Sequence, residues 1–262
     1  MDINDPDSFR DQLKILCDEQ SLLGTILVAR EGFNGTIAGN ESAIKVVLNF
    51  IRDRFKLNKE LEAFWADSKE APFRKMRVKV KKEIVSLGRP DVLPHRLSGK
   101  HVDVKQWNKL ISNPDVLVID TRNQYEIEVG TFPGAINPEN NSFREFGDFA
   151  KKLAEEDTNR QLAMFCTGGI RCEKATALML ELGFSDVYHL KGGILKYLAE
   201  VNQSENKWSG ECFVFDSRIA VDRDLIEGEY QQCHACRRPL KSSDLESPHY
   251  LEGVSCEHCN KN

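Results

Sequence analysis

The stretch RQLAMFCTGGIRCEKATALMLELGF, residues 160–184, decides the fold. It opens with an apolar run, RQLAMFC (160–166), that reads as a strand of the buried type. It then turns through a glycine pair and ends in EKATALMLELGF (173–184), which reads as a helix. DVLVIDTR (115–122) is another buried-type strand, and DVYHLKGGI (186–194) a further one closing on two glycines. Strands alternating with helices predict a doubly wound α/β domain with a parallel sheet over residues 100–205, its functional loops at the carboxyl ends of the strands. Cys166 falls at one such end.

A strand feeding through CTGGIR into a helix puts Cys166 at the mouth of a loop whose amides can turn inward, because Gly168 and Gly169 relieve the steric limits on φ. Such a cradle binds an anion. The helix dipole and Arg171 add positive potential, which favours thiolate and predicts a pKa drawn from about 8.5 into the roughly 3.5–7.5 range of activated cysteines. Cysteine phosphatases carry an arginine six positions after the nucleophile; here Arg171 stands one position early and Cys172 takes the clamp position. The tighter loop of Cys166, Thr167, Gly168, Gly169, Ile170 and Arg171 suits a persulfide sulfur or another small group better than a phosphate. The rival reading of Cys166 is a small buried hydrophobe at a strand end. Cys172 stays open between resolving an oxidised Cys166 through a disulfide and packing in the first helical turn.

Upstream, Asp7 or Ser8 can cap a helix bearing Phe9, Leu13, Leu16 and Cys17 at helical spacing. LLGTILVAR (22–30) reads as a strand, EGFNGTIAG (31–39) as a turn and short strand, and Ile44, Val47, Leu48 and Ile51 mark a second helix. In FRKMRVKVKKEIV (73–85), Met76, Val78 and Val80 alternate with Lys75, Arg77, Lys79 and Lys81, so period two predicts a strand with one buried and one basic face. Together these make an α+β domain of the ferredoxin or acylphosphatase-like kind over residues 1–90, its helices on one face of the sheet. GRPDVLPHRLSGKH (88–101) reads as the linker. The basic face is either a solvated strand whose lysines blunt edge pairing or a surface that contacts phosphates.

Residues 206–262 are polar and read as an irregular extension. Cys233-x2-Cys236 and Cys256-x2-Cys259, with nineteen residues between the pairs, fit a zinc-ribbon pattern. Four thiolates leave no open position, so a bound zinc would be structural; the alternative is chance pairing in a flexible tail. His234, His249 and His258 read as surface residues.

Eight cysteines in a reducing cytosol point to metal binding and catalysis rather than a disulfide framework. The net charge of −5 argues against nonspecific coating of nucleic acid, yet residues 1–100 hold 18 Lys and Arg against 15 Asp and Glu. A polyanionic partner should therefore meet that part. No N-terminal run has signal-peptide form and no apolar stretch approaches the roughly 18 residues of a membrane span, so the expectation is a soluble cytoplasmic protein without a membrane partner.

DVLVIDTRNQYEIEVGTFPGAIN (115–137), CTGGIRCEKA (166–175) and VYHLKGGI (187–194) look like a rhodanese domain. With AREGFNGTIAG (29–39), MRVKVKKEIV (76–85) and ECFVFDSR (211–218) in this order, nearly the whole chain resembles the bacterial rhodanese-domain tRNA uridine hydroxylases. The resemblance implies oxygen-dependent hydroxylation of the wobble uridine of tRNA at carbon 5, with molecular oxygen as co-substrate. It makes Cys166 the nucleophile, and matches Asp120 and Arg122 to the motif that braces the active-site loop. It tips Lys75, Arg77, Lys79 and Lys81 towards tRNA backbone contacts. Family members usually carry a strand before the first helix and often run on further past the position of Asn262, so the first sheet is expected to be one strand short and the Cys-rich tail short or incomplete.

No flavin or nicotinamide fingerprint and no two-histidine-one-carboxylate set is legible in the sequence. A thiol-based species at Cys166, such as a persulfide or a peroxidised cysteine, is the hypothesis the loop supports. The rivals are a sulfurtransferase carrying a persulfide on Cys166, and a noncatalytic RNA-binding or redox-sensing module. An exposed wobble base calls for an aromatic to stack on; Phe33 is a weak candidate and reads better as a packing plug.

Overall fold

The structure, a computed structural model, describes residues 2–58, 61, 63–68 and 70–260. The chain divides into two compact units, residues 1–96 and 97–262. In the first unit α1 (Pro6–Glu19) begins ahead of the expected caps. Pro6 is preorganised for a first helical position, and the Asp5 side chain accepts from the Ser8 amide at 3.0 Å, so Asp5 rather than Asp7 or Ser8 is the cap. There follow β1 (Leu23–Ala29), β2 (Gly32–Ala38), α2 (Glu41–Arg54) and β3 (Met76–Val80).

β1 is the central strand, antiparallel to β2 and parallel to β3, so β3 is an edge. Phe9, Leu13 and Cys17 from α1 and Val47 and Ile51 from α2 form one core with Ile26, Val28, Met76 and Val78. Alternation places the other side chains on the opposite sheet face. There Thr25 lies between Thr36 and Arg77, and Leu27 between Asn34 and Lys79. Lys75, Arg77, Lys79 and Lys81 are all exposed, with Lys75 and Lys81 just outside the ends of β3. Phe33 packs against the rings of Phe9 and Phe55, half-buried at the margin of that core.

The second unit runs β4 (Lys100–Val102), α3 (Val104–Leu110), β5 (Val116–Asp120), α4 (Gln124–Ile127), β6 (Gly130–Thr131), α5 (Phe146–Glu156), β7 (Gln161–Phe165), α6 (Ile170–Glu181), β8 (Val187–Leu190) and α7 (Gly193–Glu200). The sheet is parallel in the order β4-β8-β7-β5. Lys100 and His101, read above as linker, already pair with Tyr188 and His189 in that sheet. A three-residue edge strand behind prolines and glycines carries no periodicity to betray it. Ala163, Phe165 and Leu190 pack with Trp107, Phe132, Ile194 and Tyr197, while α6 packs on β7 and β8. α6 starts at Ile170, three residues ahead of the expected Glu173, with Gly169 as its cap.

The polar extension is more ordered than its composition implies. β9 (Ser209–Gly210) pairs with β6, β10 (Cys212–Phe213) with β11 (Ala220–Val221), and β12 (Gln231–Gln232) with β13 (Pro239–Leu240), ahead of a single turn, α8 (Ser242–Leu245). Cys212, Val214 and Val221 enter the same core as Phe165. Among the described residues no helix is long and apolar enough to cross a membrane.

Candidate active site

Cys166 sits at the carboxyl end of β7 with 1% of its surface exposed. The amide and hydroxyl of Thr121 both donate to the Phe165 carbonyl at 3.0 Å, fixing the strand end from the β5 side. From the other side the amides of Ile194 and Leu195 donate to the carbonyls of Cys166 and Thr167 at 3.0 and 3.1 Å. That approach needs a glycine at 193, because a Cβ there would lie 2.4 Å from the Cys166 carbonyl oxygen. Gly169, with φ at +90°, lets its amide donate to Cys166 Sγ at 3.1 Å. Gly168 has no such constraint, since a Cβ there would meet nothing within 4 Å. The glycines that shape the loop are therefore 169 and 193, not 168 and 169.

Burial pushes the Cys166 thiol up, but the Cys172 thiol, the charge of Arg171 and the amides of Cys172 and Arg171 outweigh it and bring the group down to about 6. Burial and the adjoining Cys166 push Cys172 well above its ordinary value, while Thr121 Oγ1 lies 3.6 Å from its sulfur. The two shifts run in opposite directions, so Cys166 ionises ahead of Cys172. Cys172 is fully buried in the first turn of α6.

Arg171 is held by a carboxylate. Its fork closes on Glu126, with Nη1 to Oε2 at 2.8 Å and Nη2 to Oε1 at 3.1 Å. Glu126 is fully buried and also accepts from the Asn123 amide at 3.2 Å and the Thr167 hydroxyl at 3.5 Å. Sequence reasoning missed it. Its only trace is the Asn123-x-x-Glu126 capping pattern, which announces a helix start and not a partner 45 residues away. Asp120 and Arg122 form a buried fork of their own, at 2.9 and 2.6 Å. Arg122 also donates to the carbonyls of Glu126 and Gly130, and Thr131 Oγ1 donates to Asp120 at 2.8 Å. The two residues hold the segment that carries Glu126, and Glu126 holds Thr167 and Arg171.

The four C-terminal cysteines converge, with ligand atoms all within 4.8 Å of one another. Sulfur separations of 3.9 Å (Cys233 to Cys259), 3.6 Å (Cys236 to Cys256) and 3.7 Å (Cys256 to Cys259) match the roughly 3.8 Å edges of a zinc tetrahedron with bonds of about 2.3 Å. Burial raises the Cys233 thiol, yet the Cys236 and Ala235 amides and the neighbouring thiols bring it to about 7. His234, His249 and His258 are exposed. The fold also gathers a two-histidine-one-carboxylate set that the sequence does not display, His101, Glu173 and His189 from β4, α6 and β8. Within it His101 Nε2 lies 2.8 Å from Glu173, whose other oxygen accepts from Ser98 at 3.0 Å, and His189 Nε2 lies 3.2 Å from the Gly99 carbonyl.

Residues 1–84 match the UPF0176 acylphosphatase like domain and residues 103–200 the rhodanese-like domain. A tRNA uridine(34) hydroxylase of Rhizobium leguminosarum bv. trifolii is 51% identical over 247 residues, which cover 94% of this chain and 80% of the relative. The chain belongs to the tRNA uridine(34) hydroxylase family. Members so named from Agrobacterium fabrum and Rhizobium etli are each 50% identical, over 97% and 96% of this chain and 80% and 81% of their own lengths. In this family member the rhodanese-like segment holds Cys166, Cys172, Glu126 and Arg171, and the acylphosphatase-like segment holds the basic strand β3.

Proposed function

We propose that the chain hydroxylates carbon 5 of the wobble uridine of tRNA, with Cys166 as the reactive thiolate and molecular oxygen as co-substrate. The observation that carries the reading is 51% identity across 94% of the chain to a protein named tRNA uridine(34) hydroxylase. The low-lying Cys166 thiol after β7 and the Cys172 thiol in the first turn of α6 support it as chemistry. Placing one oxygen atom in the C5–H bond and the other in water takes two electrons, and two thiols supply them when they join. One uridine, one dioxygen and two thiols then give one 5-hydroxyuridine, one water and one disulfide between Cys166 and Cys172, which an external thiol reopens. Cys166 enters as the thiolate and Cys172 as the thiol, so Cys172 gives up its proton as the S–S bond forms and solvent supplies the second proton of the water.

Thr167, Gly169, Ile170 and Arg171 shape the mouth in this reading, and Glu126, Asp120 and Arg122 hold it. The exposed row of Lys75, Arg77, Lys79 and Lys81 on the open face of the first sheet takes tRNA phosphates, fixing position without reading sequence. The four-cysteine cluster holds a structural zinc ion that stabilises the extension.

Mass spectrometry of tRNA nucleosides from a strain lacking the protein, complemented with wild type or Cys166→Ser, tests the assignment. Derivatives of 5-hydroxyuridine should return only with wild type. Their full return with Cys166→Ser would reject the thiolate, and their persistence in the uncomplemented strain would move the reading to sulfur transfer.

A further inference from the structure

Phe215 is the only exposed phenylalanine or tryptophan among the described residues of the second unit, with 60% of its surface open. Its presentation is built rather than incidental. The β10–β11 hairpin carries it on a four-residue loop, 215–218, closed by the Val214 amide on the Ile219 carbonyl at 2.9 Å. Asp216 and Arg218 brace that loop through a two-pronged pair at 3.0 and 2.6 Å, and the Arg218 amide also donates to Asp216 at 3.0 Å. The buried Phe213 meets the Phe215 ring at 5.1 Å in an edge contact and meets Tyr125 at 5.2 Å in another. The Arg171 guanidinium lies over the Phe215 ring, 5.7 Å from its centroid.

Glu126 takes both prongs of Arg171, so it is the plane of the guanidinium, and not its fork, that meets the Phe215 ring. Extruded RNA bases are held on an aromatic face beside an arginine plane. Arg171 also belongs to the loop of Cys166 and acts on that thiol through its charge. The exposed ring thus touches the side chain whose charge acts on Cys166.

We infer that Phe215, with Arg171 beside it, forms the subsite on which a single unstacked pyrimidine base of the RNA substrate lies, presenting its reacting edge to Cys166. This rests on the hydroxylase reading for the identity of the base. Phe215 is a positioning residue: it binds the base and exchanges no electrons or protons with it. It supplies the aromatic surface that Phe33, packed against Phe9 and Phe55 in the first unit, does not.

The test uses the full chain and an anticodon stem-loop RNA with uridine at position 34. Phe215→Ala and Phe215→Leu should raise KM for hydroxylation about tenfold or more, the loss expected for one base stack, while Phe215→Tyr and Phe215→Trp stay near wild type. The pH profile of Cys166 alkylation should not move in any of the four. Fluorescence of Phe215→Trp should be quenched by the stem-loop, and much less by one abasic at position 34. Wild-type KM in Phe215→Ala, or Phe215→Leu equal to Phe215→Trp, would overturn the inference, the second because it shows apolar bulk rather than a ring to be required. If wild type forms no product yet base-dependent quenching is seen, the subsite stands and the hydroxylase reading falls; no product and no quenching rejects both.

Discussion

Replacing Cys172 by alanine isolates one interaction that sets the reactivity of Cys166. Among the groups that lower the Cys166 thiol, the Cys172 side chain ranks first, ahead of the charge of Arg171. A hydrogen bond to an ionised partner is worth about 1.5–3 kcal/mol, and about 1.4 kcal/mol moves a pKa by one unit, so its loss should raise Cys166 by about one to two units from about 6. The sign follows from the charge type: the donor stabilises the anion, so its removal favours the neutral thiol and moves titration to higher pH. At pH 7 the thiolate fraction should fall from about nine-tenths to between about half and one-tenth. Alkylation of Cys166 by iodoacetamide, followed by mass spectrometry between pH 5 and about 10, reads the midpoint directly. The Gly169 amide, 3.1 Å from the sulfur, remains, so the midpoint should stay below the roughly 8.5 of a free cysteine. A midpoint unmoved by Cys172→Ala would refute the thiol-to-thiolate bond, and with it the electron-donating pair.

Other consequences can be checked separately. Glu126→Ala leaves Arg171 without its carboxylate partner and should destabilise the chain by about 3 kcal/mol or more in urea unfolding, whereas Glu126→Gln should lose less because it keeps one acceptor. Gly168→Ala should leave stability and alkylation rate nearly unchanged, while Gly169→Ala, at φ +90°, should cost about 1–2 kcal/mol and slow alkylation by misplacing the amide that faces the sulfur. Purified protein should carry one zinc per chain by elemental analysis, and Cys256→Ser should lose it together with the protection of residues 231–260 from proteolysis. Arg77→Glu with Lys79→Glu should weaken tRNA binding across sequences and flatten its salt dependence, leaving Cys166 alkylation as in wild type.

What could be read from the sequence was whatever rests on local periodicity. The alternation in 75–81, the apolar runs at 116–120 and 161–165, and the glycine-bearing turn after Cys166 each encode their geometry in neighbouring residues. β4 escaped because three residues carry no period, and α7 because its glycine start resembles a strand end. The parts of the site that stayed hidden come from tertiary convergence. Glu126 lies 45 residues from Arg171, Gly193 approaches the loop from a different helix, and Phe215 arrives on a hairpin inside a segment whose polarity reads as loop. Arg171 illustrates the limit best. Its position one residue before the phosphatase clamp was visible, but that its fork is occupied by a buried carboxylate is a property of the folded chain.

The central claim, that Cys166 and Cys172 supply the two electrons for hydroxylation of uridine 34 by dioxygen, meets its most direct test in a single-turnover reaction. Reduced protein, free of added reductant, would be mixed with unmodified tRNA under isotopically labelled dioxygen. Mass spectrometry would then read both the nucleosides and the thiols. The account predicts one labelled 5-hydroxyuridine at position 34 and one Cys166–Cys172 disulfide per turnover, and neither with Cys166→Ser. Labelled product from Cys166→Ser at the wild-type rate would contradict it.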